Sequence, residues 1–227
     1  MTNIFFHVKF KEFVEFAVKN SVGLIYDDSY GAGIIVKEMM KLFKDGDVYY
    51  IIFTDMNDIR TKKFFENLSK VDEKIGEVLK NVKAIKIGRS KEVFNNNLFA
   101  YIEMVEDIEG VFHDLASIVK KLDEKALIVY DGMFLFYRIC GEKVFFENLE
   151  KFISSIGNFR GVTLIPIMSE VDESIAYLFD LVLSVKKSEK LYSMGRREYE
   201  VEILHSIFPQ LPPLLAFKII QDEIVEV

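Results

Sequence analysis

The sequence has little of what secreted and membrane-spanning proteins need. Cys140 is the one cysteine of the chain, so no intramolecular disulfide can form. Half of the residues are hydrophobic, yet no apolar run approaches the roughly 18 residues that cross a bilayer. The first residues, MTNIFFHVKFKEF, lack the basic segment, apolar core and small-residue cleavage site of a secretory signal. These absences predict a soluble, cytoplasmic protein without a membrane partner.

Residues that carry familiar kinds of catalysis are also sparse. The histidines His7, His113 and His205 are scattered and show no metal-ligand spacing such as H-x-x-x-H. Ser29 lies in no G-x-S-x-G elbow, and Cys140 has no base near it in the sequence. We therefore predict no metal site, no cofactor and no catalytic residue of these classes.

Length and charge describe one acidic domain. The 227 residues suit a single α/β domain with a full core. We divide this predicted domain, residues 1–227, into a helical lead-in (1–20), a core (21–185) and a C-terminal hairpin and tail (186–227). The net charge of −7 makes a nucleic-acid partner unlikely, because the overall field repels phosphate. Many Lys and Glu residues and only two Gln favour a thermophilic source.

Strand and helix patterns alternate along most of the chain. Short apolar runs predict strands at 22–26, 48–53, 82–87, 98–105, 126–131 and 162–167. Amphipathic segments predict helices at 9–19, 58–68, 71–80, 108–122 and 143–155. This alternation is typical of a mainly parallel sheet with right-handed crossovers. The apolar run at 181–185 and the alternating runs around 190–193 and 199–203 predict a small antiparallel hairpin set at one edge of the sheet.

The stretch VGLIYDDSYGAGIIVKEMMKLF, residues 22–43, has the layout of a phosphate-binding loop. An apolar strand leads into a turn that holds Gly31 and Gly33, and apolar positions at helical spacing follow. With the acid-ended run ALIVYD and the hairpin-rich tail, this layout resembles the RecA superfamily, most closely its KaiC-like and RadA-like branch, over residues 10–207. The resemblance implies a RecA-like, P-loop NTPase-type fold. Such a fold has three α/β/α layers, a mainly parallel central sheet and antiparallel hairpins at the C-terminal edge.

The resemblance also implies that the phosphate loop is degenerate. The family loop reads G-x-x-x-x-G-K-[ST]; here Asp28 stands at the first glycine, Ile34 at the lysine and Ile35 at the hydroxyl residue. Two isoleucines supply neither the charge for the phosphates nor the Mg²⁺ ligand, which implies a pseudo-ATPase without ordinary ATP hydrolysis. The degenerate positions are Asp28, Ser29, Tyr30, Gly31, Ala32, Gly33, Ile34 and Ile35. A pocket relined in this way could pack shut or accept an apolar group.

Two acids at predicted strand ends remain from the family pattern. Thr54 and Asp55 stand where KaiC-like proteins carry a pair of glutamates that activate water. Asp131 stands at the metal-facing acid of the Walker B strand. It is either a metal ligand or a solvated leftover, and the missing phosphate loop favours the leftover. A retained core with an erased loop is also similar to an uncharacterised group of archaeal RecA-like proteins.

An aromatic run follows Asp131 and offers a possible partner surface. It contains Phe134, Phe136, Tyr137 and Arg138. In a chain with 21 Phe, such a run is more often core than surface. If the side chains are exposed, they mark a protein or peptide site at the C-terminal edge of the sheet.

The sequence leads to three functional hypotheses. The first is a non-catalytic module that binds a protein or peptide and acts as a scaffold or regulator. Its partner is either a second copy of the chain, in a homodimer, or an active RecA-like ATPase. The second is binding of a nucleotide or small molecule in an altered pose, through Ser29, Tyr30 and the backbone N–H groups of residues 31–33. The third is nucleic-acid binding by a tail patch in which acidic residues are interspersed. Its basic residues are Lys186, Lys187, Lys190, Arg196 and Arg197.

Overall fold

The structure is a computed structural model that describes residues 9–43, 46–70, 72–104, 107–166, 173–188, 198–207, 217–221 and 223–226. Outside these described residues lie the predicted hairpin at 190–193, the basic residues Lys190, Arg196 and Arg197, and His7. No helix within the described ranges is long and apolar enough to cross a membrane.

The strands of the described residues form one ten-stranded sheet. They are β1 (Ser21–Tyr26), β2 (Val48–Phe53), β3 (Val82–Gly88), β4 (Leu98–Glu103), β5 (Leu127–Asp131), β6 (Gly161–Pro166), β7 (Leu181–Lys187), β8 (Glu198–Ser206), β9 (Phe217–Ile220) and β10 (Glu223–Glu226). Across the sheet their order is β10-β9-β8-β7-β1-β6-β5-β2-β3-β4. The strands from β7 to β4 in this order pair in parallel, and β8, β9 and β10 extend the sheet with antiparallel pairs.

Helices cover both faces of the sheet. They are α1 (Phe10–Lys19), α2 (Ser29–Leu42), α3 (Asp55–Ser69), α4 (Glu73–Asn81), α5 (Ile108–Val119), α6 (Leu135–Cys140) and α7 (Glu142–Ile156). The first four pack into one hydrophobic cluster, and the last three pack into a second cluster on the opposite face. A 3₁₀ helix, Glu173–Leu178, precedes β7.

The two clusters arise because successive side chains of a strand point to opposite faces of the sheet. In β2, Tyr50 and Ile52 join the α1–α4 cluster, whereas Ile51 and Phe53 join the α5–α7 cluster. Every residue of β2 is buried, as expected for a parallel strand covered on both faces. The continuous apolar run at 48–53 reflects this double burial.

The predicted fold class is confirmed: the protein is a three-layer α/β structure with a mainly parallel sheet and antiparallel strands at one edge. Each of the predicted parallel strands is present, and β4 lies at the sheet edge as expected. The C-terminal strands β9 and β10 were not predicted, because their runs are too short for a clear alternating pattern.

Candidate functional site

The predicted glycine-bearing loop between β1 and α2 is wrong, because the helix begins earlier than the sequence suggested. Only Asp27 and Asp28 separate β1 from the first helical residue, Ser29. The Asp28 side chain accepts a hydrogen bond from the Tyr30 backbone N–H at 3.0 Å, which caps the helix. Gly31 and Gly33 therefore lie inside α2. No loop is left to wrap around a phosphate.

Asp28 is held on its other side by residues from β7 and β8. The Tyr199 hydroxyl donates to Asp28 Oδ2 at 2.9 Å, and Lys187 Nζ lies 2.9 Å from the same oxygen. Burial opposes ionisation of Asp28, but the hydrogen bonds from Lys187, the Tyr30 N–H and Tyr199 outweigh burial and lower its pKa. A Cβ on Gly31 would overlap the Tyr199 ring, so this glycine permits close approach of the β8 tyrosine to the helix.

The place beside Gly33 is filled by the protein itself. The Phe64 ring of α3 lies against Gly33 so closely that a Cβ there would overlap the ring. Phe64 also makes an edge-to-face contact with Tyr30, with ring centroids 5.7 Å apart. Ile34 and Ile35 are fully buried in the core and do not line any space beside the loop position. Of the two alternatives for these isoleucines, packing shut and accepting an apolar group, their complete burial agrees with packing shut.

A cavity of about 120 Å³ remains between α2 and α3, above the ends of β1 and β5. Its floor and walls carry the polar side chains Tyr26, Tyr50, Asn57, Thr61 and Asp131, and Arg60 lies at its exposed mouth. The carboxyl ends of parallel strands are where open α/β sheets bind ligands. The cavity is thus the best-placed candidate site among the described residues.

Asp131 lies at the floor of this cavity and is buried, not solvated as the leftover hypothesis supposed. Its Oδ2 accepts hydrogen bonds from the Tyr50 hydroxyl at 2.8 Å and from Thr61 Oγ1 at 3.1 Å. Burial raises the pKa of Asp131, against the opposing effects of Asn57, Tyr50 and Thr61. The Asn57 amide approaches the carboxylate but does not reach hydrogen-bond geometry, which leaves Asn57 Nδ2 buried without a partner.

We predict that Asp131→Asn alters the pH dependence of folding stability. The pKa of Asp131 is higher in the folded chain than in the unfolded chain, where it is about 3.9. The stability that Asp131 contributes is therefore fully present below the unfolded-state pKa and is lost as pH rises through the folded-state pKa. The asparagine at position 131 cannot titrate, so the free energy of unfolding of the variant should increase relative to that of the wild type as pH rises. Urea denaturation over a pH series measures the difference. Parallel curves for the wild type and the variant would contradict the prediction.

The junction between β2 and α3 fixes the opposite wall of the cavity. Thr54 has φ 80° and ψ 148°, a conformation that costs a β-branched residue about 1–3 kcal/mol. Its hydroxyl accepts a hydrogen bond from the Asn57 N–H at 3.3 Å, which caps α3. The Thr54 N–H donates to the Ile87 carbonyl at 2.8 Å, so β3 helps to hold the strained residue. The junction thereby sets the start of the helix that carries Asn57, Arg60 and Thr61.

Asp55, the other predicted residual acid, serves a different set of contacts. Its carboxylate accepts hydrogen bonds from the backbone N–H groups of Arg89 at 2.9 Å and Ser90 at 3.3 Å, and pairs with Lys86 at 3.3 Å. Partial burial opposes ionisation, yet the Arg89 N–H and Lys86 lower its pKa. Asp55 does not line the cavity, so the structure does not bring it together with Asp131 there.

The aromatic run after Asp131 is mostly core. Phe134 and Phe136 are fully buried in the α5–α7 cluster and cannot belong to an exposed partner surface. Tyr137 is partly buried against the same cluster, and only Arg138 of the predicted set is exposed. The interpretation of Phe134 and Phe136 as core residues is confirmed. The alternative, that they form an exposed partner surface, is wrong for both residues.

Several cavity residues were missed from the sequence. Asn57, Arg60, Thr61 and Phe64 follow the i, i+3, i+4, i+7 spacing of one helix face. The spacing can be read from the sequence, but these positions are mostly polar or charged, so they resemble the ordinary surface positions of α3. In the part of the chain that the structure describes, no three His, Cys, Asp or Glu side chains gather as a metal site, so Asp131 is the lone acid of the cavity.

Comparisons with known proteins support the fold. No protein-family model and no curated protein matches the sequence. Among solved structures, 262 chains match. One is a protein from Pyrococcus horikoshii OT3 known from a structural study, with a TM-score of 0.62 and 13% sequence identity, covering 91% of this chain and 97% of that one. At this identity the similarity shows a shared fold alone.

Proposed function

We propose that this chain is a non-catalytic domain of the RecA type that acts by binding another protein, beginning with a second copy of itself. Three features support the RecA relationship: an apolar strand followed by a helix, an acid at the end of β5, and antiparallel strands at one edge of the sheet. The single observation that carries the proposed function is the free edge of β4.

The internal contacts of the former phosphate site support the absence of catalysis. The position beside Gly33 is occupied by Phe64, and Asp28 caps α2 where a phosphate would need free N–H groups. Asp28 also places a negative charge there, which opposes an anionic ligand. A nucleoside triphosphate bound in the familiar pose would have to displace the Phe64 ring and face this carboxylate.

β4 offers a surface for protein binding. Among the described strands it pairs with β3 alone, so its outer N–H and C=O groups have no strand partner in the sheet. Leu98 and Phe99 are exposed large apolar residues on this strand. Glu103 is the one charged residue of β4, and edges without charge or proline invite pairing with another chain. Two copies of β4 can pair antiparallel about a two-fold axis, which joins both sheets.

Phe99→Lys tests the proposed dimer. A lysine on each of two paired edges brings like charges together, so we expect the dimer dissociation constant to rise by about tenfold or more. Size-exclusion chromatography with light scattering over a concentration series measures this change. Leu204→Lys is the matched control, because Leu204 is 52% exposed and Phe99 is 50% exposed, and Leu204 lies on β8 near the other end of the sheet. A wild-type chain that stays monomeric at every concentration would refute self-association.

The other two hypotheses have less support. Nucleotide binding through the first turn of α2 conflicts with the capping contact of Asp28 and with the volume of the cavity, about 120 Å³, which is too small for a nucleotide. For nucleic acid, Lys187 of the tail patch is engaged with Asp28, which leaves Lys186 exposed among the described members. An active RecA-like ATPase is a second partner that the same β4 edge could engage.

A further inference from the structure

We propose that the cavity between α2 and α3 binds a small zwitterion of the α-amino acid class, with the ligand ammonium group at Asp131 and its carboxylate at Arg60. This site is separate from the β4 edge and does not depend on self-association. Ser29, Ala32 and Gly33 of α2 also line this cavity, but the proposed charged contacts are made by Arg60 of α3 and Asp131 of β5.

The size of the cavity limits the ligand to a small molecule. Its volume is about 120 Å³, somewhat less than an engineered cavity of roughly 150 Å³ that holds benzene. About six non-hydrogen atoms therefore fit inside, and Arg60 at the mouth can reach a group that projects out. Glycine and alanine meet this limit. A nucleotide does not.

The polar groups of the cavity are incompletely satisfied by the protein. Asn57 Nδ2 is buried and donates no hydrogen bond. Both hydrogen bonds that Asp131 accepts go to Oδ2, and the Asn57 amide approaches the same carboxylate without reaching hydrogen-bond geometry. Buried polar groups in native proteins nearly always have a partner, in the protein, in water or in a ligand. Asn57 Nδ2 has almost no exposed surface, so it lies beside Asp131 without facing the cavity. A carboxylate has about four acceptor sites, so Asp131 can accept a further hydrogen bond from a donor in the cavity.

The charges select a ligand that carries both signs. Arg60 supplies a positive charge at the mouth and makes no ion pair with a described residue, whereas Asp131 supplies the carboxylate at the floor. Both charges act on the Tyr26 hydroxyl: burial and then Asp131 raise the pKa of this phenol, and Arg60 lowers it. A simple anion would meet the Asp131 carboxylate, and a simple cation would meet Arg60. A zwitterion matches both ends.

Calorimetric titration of the full chain with L-alanine tests this site. Acetate and ethylamine, which keep one charged end each, should bind more weakly than L-alanine by about tenfold or more. Arg60→Gln and Asp131→Asn should each weaken L-alanine binding to a similar extent, since each removes one charge-assisted contact. Lys63→Gln, an exposed lysine of α3 outside the cavity lining, should leave the affinity unchanged.

The outcomes separate the proposal from its competitors. No saturable heat with L-alanine up to about 10 mM, a concentration that would reveal even weak affinities, means a cavity filled by water and overturns the proposal. Equal binding of acetate and L-alanine, or binding unaffected by Arg60→Gln, also overturns it. Circular dichroism of both variants establishes that they are folded. Because Arg60 is exposed, Arg60→Gln retains the fold even if Asp131→Asn does not.

Discussion

Phe136→Ala should lower the free energy of unfolding by about 3–5 kcal/mol. The side chain is fully buried on α6, with edge-to-face contacts to Phe53 at 5.2 Å and Phe112 at 6.1 Å between ring centroids. Its removal leaves a cavity lined by these rings, which a rigid core refills only in part. Since a whole domain is stable by about 5–15 kcal/mol, this one change should be visible as a large shift in a urea unfolding curve.

Ile139→Ala on the same helix is the control for this prediction. Ile139 is 55% exposed, so its truncation should change stability by only about 0.5 kcal/mol. The pair also separates the two interpretations of the aromatic run. A Phe136→Ala variant with unchanged stability and altered self-association would show that Phe136 serves a partner surface. Because the Phe136 ring is buried, we expect the variant to lose stability. Its folded molecules should self-associate as the wild type does.

The parallel strands were predictable because each is a short, continuous apolar run. Burial on both faces imposes that pattern on β2 and β5, and it needs no knowledge of distant residues. The edge strand β4 was also predictable, because its run LFAYIE is mostly apolar and aromatic. These strands depend on local composition, which can be read directly from the sequence.

The candidate site was harder to predict because its parts meet only in three dimensions. Gly31 and Gly33 indicated a loop, yet both lie in α2, where Tyr199 of β8 and Phe64 of α3 approach the helix backbone. The sequence does not say which ring will pack on which glycine. Asp131 was identified as a strand-end acid, but its burial depends on hydroxyl donors from β2 and α3. Helical spacing alone does not distinguish Arg60 from the other charged residues of α3.

A buried lysine explains how β3 holds the start of α3, the helix that carries the outer wall of the cavity. Lys86 of β3 is almost completely buried. Its ammonium donates to Asp58 Oδ2 at 2.9 Å and to the Glu92 carbonyl at 3.2 Å, and lies 3.3 Å from Asp55 Oδ1. A lone charge in this position would be costly, so the contacts with both carboxylates are what make the burial tolerable.

Lys86→Met should lower the free energy of unfolding by about 3–5 kcal/mol, because Asp58 is then left as a buried carboxylate without a cation. Urea denaturation measures the loss. The double variant Lys86→Met with Asp58→Asn should recover much of it, since the amide needs no counter-charge and can still accept from the Phe94 N–H. This recovery would distinguish an unpaired charge from a simple loss of packing.

Lys83→Met is the matched control on the same strand. Lys83 pairs with Asp47 at 2.8 Å, but both side chains are partly exposed, so its loss should cost at most about 1 kcal/mol. A Lys86→Met cost no larger than that of Lys83→Met would contradict the assigned role. Because Asp58 lies in α3 just before Arg60 and Thr61, Lys86→Met should also weaken L-alanine binding while the chain remains folded. The ion pair and the cavity then share one element, the first turns of α3.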